Sequence, residues 1–304
     1  MARRSPACVA RDLVARGATH GDARQEQRWR VATANHSLAT RTADMTGPRV
    51  ITLLTDFGLD DPYVGVLKAV VLRYCPAAQI VDLTHSIAPF DRLAAAFWLE
   101  RVFGWFPGGT VHVVVVDPGV GSARRTVAIA AHHQIFVGPD NGVLNGVYAT
   151  DVHAEAREIV PVALGLPSPS RTFHGRDVFA PIAARLAEGS LMFDGVGDRV
   201  TLSDEVLLPP VTESGDVWTG QVVTVDRFGN ALTNLLEPPL PGAFEVCVAG
   251  RRVPLLGTYA DAAPGDILAL FGSFGCLELA AREGHAAATL GIGRGAVVEL
   301  RRIR

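Results

Sequence analysis

Long hydrophobic runs are missing from this 304-residue chain. Apolar runs such as Val113 to Val116, with Val111 nearby, are far too short to cross a bilayer, and turn signals flank them. No membrane span is expected. Cysteine is scarce as well: Cys8, Cys75, Cys247 and Cys276 stand far apart, with no C-x-x-C pair and no histidine at zinc spacing. A metal knot and a redox motif are therefore excluded, and the four read as reduced thiols of a cytoplasmic protein. No basic footprint is visible in the body of the chain, and 28 Lys and Arg against 31 Asp and Glu leave a net charge of −3, so nucleic acid is not an expected partner. The G-x-G-x-x-G turn of pyrophosphate sites, the H-E-x-x-H pair of metalloproteases and clustered carboxylates are absent too, and no internal repeat is found. No metal is expected.

What is present suits a folded enzyme of one large core or two modest ones, with 48% hydrophobic and 19% charged residues. The first 44 residues differ from the rest: Arg3, Arg4, Arg11, Arg16, Arg24, Arg28, Arg30 and Arg41 punctuate a stretch without sustained hydrophobic periodicity. Residues 1–46 are expected to be a disordered extension, with Met45 opening the functional chain. From Val50 short apolar strands alternate with helical stretches, the signature of an α/β domain with a central, mostly parallel sheet, assigned to residues 47–208. Strands are expected at Val50 to Leu54, Ile80 to Leu83, Thr110 to Val116, Thr126 to Ala130 and Ile135 to Val137. Helices are expected from Pro62 to Tyr74, Asp91 to Phe106 and Val178 to Ala187. Past Pro209 and Pro210 the pattern turns to short strands without convincing helices, so residues 209–304 are expected to form a smaller, mainly β, barrel-like domain.

Polar motifs fall where strands end, the edge at which open α/β sheets bind ligands. Thr55-Asp56-Phe57-Gly58, with Asp61 close behind, places a carboxylate where it could hold a ribose diol or cap a helix. Asp117-Pro118-Gly119-Val120-Gly121, followed by Arg124 and Arg125, sets an acid and a guanidinium around a tight turn. Pro139-Asp140-Asn141-Gly142 is first of all turn chemistry. Phe173-His174-Gly175-Arg176-Asp177 offers an uncrowded histidine, with Asp177 expected as the cap of the next helix. In the second domain, Asp226-Arg227-Phe228-Gly229-Asn230 supplies an acid for an ammonium group, a ring that can stack and an amide that suits a purine edge. Gly272-Ser273-Phe274-Gly275 with Glu278 downstream comes last.

Together, in this order, the strings TDFG, DPGVG with RR, PDNG, FHGRD, DRFGN and SFG-x-L-E resemble the S-adenosylmethionine hydrolases, the SAM hydroxide adenosyltransferase family related to fluorinase and chlorinase. The resemblance runs from about Val50 to Glu299 and implies hydrolysis of S-adenosylmethionine by in-line attack of water, without a cofactor. It implies that Asp117, Arg124 and His174 prepare the water, with either Asp117 or His174 taking its proton. It further implies that Asp56 holds the ribose hydroxyls, that Phe90 is an aromatic wall, and that Asn230, Glu278 and Ala281 meet the adenine. Asp226 and Ser273 would lie around the methionine end. Ala281 stands where a larger aliphatic is usual, and Arg282 replaces a common asparagine. A homotrimer is implied, with the pocket between the first domain of one subunit and the second domain of its neighbour. A halide-using relative and a sensor that binds without turnover are the alternatives; neither needs a charged triad.

Overall fold

The computed structural model describes residues 49–238 and 242–303, and the expected N-terminal extension lies outside them. The chain divides into two compact units, one made chiefly of residues up to Pro210 and the other chiefly of those from Val211 on.

In the first unit six strands form one sheet in the order β2-β1-β3-β5-β4-β6: β1 Val50–Thr55, β2 Gln79–Thr84, β3 Val111–Val115, β4 Thr126–Ala131, β5 Gln134–Pro139 and β6 Glu155–Glu158. The pairs β1/β2, β1/β3 and β3/β5 are parallel. β4 runs against both its neighbours, so it alone is reversed. Alternate residues of each strand face opposite sides of a sheet, and helices cover both. Ile51, Leu53, Val113 and Val115 pack with Leu67 and Val71 of α1 Tyr63–Tyr74 and with residues 178–186, which carry a later helix. Leu54, Val114, Val116 and Ile129 pack instead with Ala95 and Leu99 of α2 Arg92–Val102 and with Val147 of α3 Asn145–Ala149. The later helix is α4 Ala180–Glu188.

Local chemistry sets the ends of these elements. Pro62 occupies the cap position of α1, and the Asp91 carboxylate caps α2 by accepting the Ala94 N–H at 2.9 Å. A histidine is wholly buried in this core. His112 accepts the Thr52 hydroxyl at Nδ1, 2.7 Å away, and donates from Nε2 to Gln134 at 2.9 Å, which leaves the ring neutral. Burial pushes its pKa down to about 4.

In the second unit the strand order is β11-β10-β14-β8-β9-β13-β12, with β7 beside β8. The strands are β7 Thr212–Ser214, β8 Val217–Val225, β9 Ala231–Leu236, β10 Ala243–Val248, β11 Arg251–Val253, β12 Ile267–Phe271, β13 Cys276–Ala281 and β14 Val297–Ile303. The pairs β10/β11, β10/β14, β12/β13, β9/β13 and β7/β8 are antiparallel. A bridge from Leu255, just past β11, to Ala269 of β12 ties the two ends of the path, giving the nearly closed, barrel-like sheet. The expectation of no helix here is corrected by α5 Ala286–Leu290, a short helix capped by the His285 ring, which accepts the Ala288 N–H at 3.1 Å.

Candidate active site

Asp117 leaves β3 and Arg124 leads into β4, joined by the Pro118–Ala123 turn. Gly121 in that turn has φ +78, and a Cβ there would come within 2.3 Å of the Arg171 carbonyl oxygen. Only glycine allows the Asp117 turn and the segment leading to His174 to approach so closely. His174 itself opens a π-helical turn, Gly175–Phe179, that runs into α4.

These loops bring three side chains together. Arg124 Nε donates to Asp117 Oδ1 at 2.8 Å, and its Nη2 donates both to Asp117 Oδ2 and to His174 Nδ1, the latter at 2.9 Å. The guanidinium lies over the Phe179 ring, 5.6 Å from its centroid. The side chains of Arg124 and Asp117 are only 9% and 4% exposed, so their pairing is shielded from water. A guanidinium offers donors alone, so His174 Nδ1 is the acceptor and the ring's proton sits on Nε2. Burial and the neighbouring Arg124 charge hold the His174 pKa below its usual range and keep the ring neutral, while Asp117, Asp177 and the Ser170 carbonyl pull the other way.

Asp56 joins this group electrostatically. Burial raises its pKa, as does the charge of Asp117, while the Phe90 N–H, donating to Asp56 Oδ2 at 2.8 Å, lowers it. Phe90 is exposed and sits at φ +69, a strained conformation for a non-glycine residue that this bond helps to hold. Asp61 stands exposed in the loop before α1, apart from the bonded group of three. Two neighbouring motifs prove structural: Arg125 turns away to Asp140 at 2.6 Å, and the Asn141 amide donates to the Val116 carbonyl at 3.0 Å. Asp177 does not cap a helix. The wide turn places it inside, where its carboxylate accepts the Ser170 N–H at 2.9 Å and pairs with Arg176.

The second unit gathers another group. Asp226 Oδ1 accepts the N–H groups of Phe228 and Asn230, each at 2.9 Å, and Oδ2 accepts the Asn230 side-chain amide at 3.1 Å. The Asn230 carbonyl oxygen is thus oriented by its own turn. Gly229, at φ +86, lies under the His285 ring, which a Cβ would meet at 2.3 Å. Phe228 and Ser273 are exposed, the latter in the turn after β12. Glu278 on β13 is 5% exposed and accepts the Tyr259 hydroxyl. Burial holds the Glu278 carboxyl above the usual carboxylate range; the bond from Tyr259 pulls it partly back, and Asp226 pushes it up further. Ala281 ends β13, and its carbonyl accepts the Gly284 N–H at 3.2 Å. Arg282 braces the same corner by donating to the Ala262 carbonyl at 2.7 Å. Among the described residues, no group of three or more His, Cys, Asp or Glu is placed to hold a metal ion.

Comparison with known proteins shows the family. The model of the SAM hydroxide adenosyltransferase N-terminal domain matches residues 51–197, and that of the C-terminal domain matches residues 220–299. The chain belongs to the SAM hydroxide adenosyltransferase family. A relative from Thermus thermophilus named (R)-S-adenosyl-L-methionine hydrolase is 43% identical over 259 residues, covering 83% of this chain and 99% of its own. A fluorinase from Actinoplanes sp. N902-109 is more distant, 30% identical over 77% of this chain and 91% of its own. A crystal structure of a conserved protein from Thermotoga maritima superposes with a TM-score of 0.76 at 38% identity, over 83% of this chain and 100% of that one.

Within this SAM hydroxide adenosyltransferase family member, the arrangement of Asp117, Arg124 and His174 can take a proton from a small nucleophile and stabilise charge growing on it. Reasoning from motifs missed Tyr259, the partner of Glu278. Its signal was the neighbouring Thr258-x-x-Asp261 capping box, which fixes the short helical turn carrying the phenol.

Proposed function

We propose that this chain hydrolyses S-adenosyl-L-methionine to adenosine and L-methionine by in-line attack of water on the ribose 5′ carbon. The convergence of Asp117, Arg124 and His174 carries the reading. As the oxygen–carbon bond forms, the carbon–sulfur bond breaks, its electron pair leaves on the neutral thioether of methionine, and the water gives up a proton. Water has a pKa of about 15.7, so deprotonation before attack is too costly without a metal and the proton departs as the bond forms.

Asp117 is the acceptor in this scheme. Each of its oxygens keeps a lone pair after bonding Arg124. His174 cannot serve, because Arg124 occupies its Nδ1 and its Nε2 already carries the proton. The histidine instead holds the guanidinium in place, and the guanidinium stabilises the negative charge developing on the attacking oxygen. A base in this position contributes ~10²–10⁴-fold, and alignment of the reactants contributes about 7–11 kcal/mol. A halide prefers a dry, uncharged seat, so the charged pair favours water over halogenation.

Asp56, with Asp61 and Phe90 in the loops after β1 and β2, takes the ribose side in this reading. Asp226 and Ser273 take the methionine end, and Phe228, Asn230, Glu278 and Ala281 the adenine. The protein acts as a cytoplasmic homotrimer without a cofactor, the first unit of one subunit meeting the second unit of the next; a fully active monomer on size-exclusion chromatography would contradict that assembly. Incubation with S-adenosylmethionine in heavy-oxygen water tests the chemistry. The label should enter the 5′ hydroxyl of adenosine, whereas a halogenated nucleoside in chloride or fluoride, or tight binding without turnover, would overturn the proposal.

A further inference from the structure

Behind the Asp56 loop runs a chain of polar groups that the proposed chemistry does not use. His85, just past β2, is 3% exposed. Its Nδ1 lies 2.8 Å from the hydroxyl of Thr55, the last residue of β1, and that hydroxyl accepts the Phe57 N–H at 3.2 Å. The His85 carbonyl accepts the Gly58 N–H at 2.8 Å. On the far side of the ring, Nε2 faces Asp82 Oδ1 at 3.1 Å, and Asp82 Oδ2 accepts Lys68, the only lysine in the chain, at 2.6 Å.

With the ring's proton on Nε2, on the side of the Asp82 carboxylate, Nδ1 accepts the Thr55 hydroxyl while that hydroxyl receives the Phe57 N–H. Asp56 lies between Thr55 and Phe57, so the clasp fixes the backbone that carries it. A buried imidazole is a costly filler where an apolar side chain would pack. What it adds is direction, because a rigid ring pins a hydroxyl that would otherwise rotate.

We propose that His85 is a positioning residue for substrate binding: through Thr55 and Gly58 it sets the turn that aims the Asp56 carboxylate at the ribose hydroxyls. The inference rests on Asp56 as the diol-binding group. Steady-state kinetics of the intact enzyme on S-adenosylmethionine and on its 2′-deoxyadenosyl counterpart test it. His85→Ala should raise KM for S-adenosylmethionine about tenfold, the effect of one net hydrogen bond, with kcat within about twofold. On the 2′-deoxy substrate the same change should shrink to about twofold. His85→Asn, whose carbonyl oxygen can take the place of Nδ1, should restore most of the loss. Thr55→Val should repeat the alanine result and carries the test if His85→Ala does not fold. Equal losses on the two substrates, or a fall in kcat at constant KM, overturn the inference, provided Asp56→Asn itself loses more on S-adenosylmethionine than on the 2′-deoxy substrate. If Asp56→Asn loses equally on the two substrates relative to the unmodified enzyme, the diol reading itself fails and takes this inference with it.

Discussion

In the first unit the Asp117 carboxylate is held by a guanidinium arriving across a turn, itself bonded to a histidine, whereas in the second unit the Asp226 carboxylate is held by the N–H groups of its own turn. The first arrangement gathers charge from separate loops into a buried spot and leaves one carboxylate able to accept a proton. The second spends its acid on local order, fixing a polar edge and an exposed ring. The difference separates groups suited to changing bonds from groups suited to recognising a ligand.

The sharpest way to break that contrast is a pair of matched variants. Asp117→Asn should lower kcat ~10²–10⁴-fold, measured by adenosine release, while Asp226→Asn should act mainly on KM. Equal losses of kcat would erase the distinction. Acid should next separate the units by stability. His112 titrates near 6.5 when unfolded and about 4 when folded, so as pH falls through that window the unfolded chain binds a proton that the folded one refuses. The first unit should lose roughly 3 kcal/mol, levelling below pH 4. From Val211 on, His285 is the single histidine among the described residues, and it is exposed. Hydrogen exchange between pH 7 and 4 should therefore show protection falling first around β1, β3 and β5.

Smaller effects should sharpen the picture of the second unit. Tyr259→Phe leaves the buried Glu278 carboxylate without its donor and should cost roughly 1–3 kcal/mol by denaturant unfolding. Glu278 already titrates above its usual range, so its contribution is complete below pH 4.5 and lost as pH rises through the folded value. The variant should steepen that loss. Phe228→Ala should leave stability within about 0.5 kcal/mol, since the ring is exposed, yet raise KM. An unchanged KM would remove Phe228 from the ligand's surroundings.

Much of this arrangement was legible from the residues alone, because the clearest signals are local. Pro62 and Asp91 mark helix starts whatever lies around them, and the apolar run at Val111 marks a buried strand. Features set by distant partners were harder to see. β6, Glu-Ala-Arg-Glu, reads as a polar loop until Arg157 is found bonded to Glu155 and to the Gly197 carbonyl. α5 escaped notice because its cap is a histidine rather than a serine or aspartate. The motif order pointed to the triad, but only the fold reveals that Arg124 shares one nitrogen between Asp117 and His174. The same holds for Asp177, whose role depends on a π turn that no spacing announces.

The reversal of β4 has a consequence for how such an edge can be furnished. In a sheet of uniformly directed strands, one rim receives only residues leaving strands, and those entering strands lie at the opposite rim. Turning a single strand around delivers Arg124 and Arg125 to the rim that already holds Asp56, Asp117 and Asp140. Adjacent arginines then serve two different acids because successive residues point opposite ways. A slip of one residue between β4 and β5 would hand one acid the other's arginine and leave the second facing Ala123 or Thr126, so the fidelity of strand pairing and the electrostatics of the rim are the same constraint.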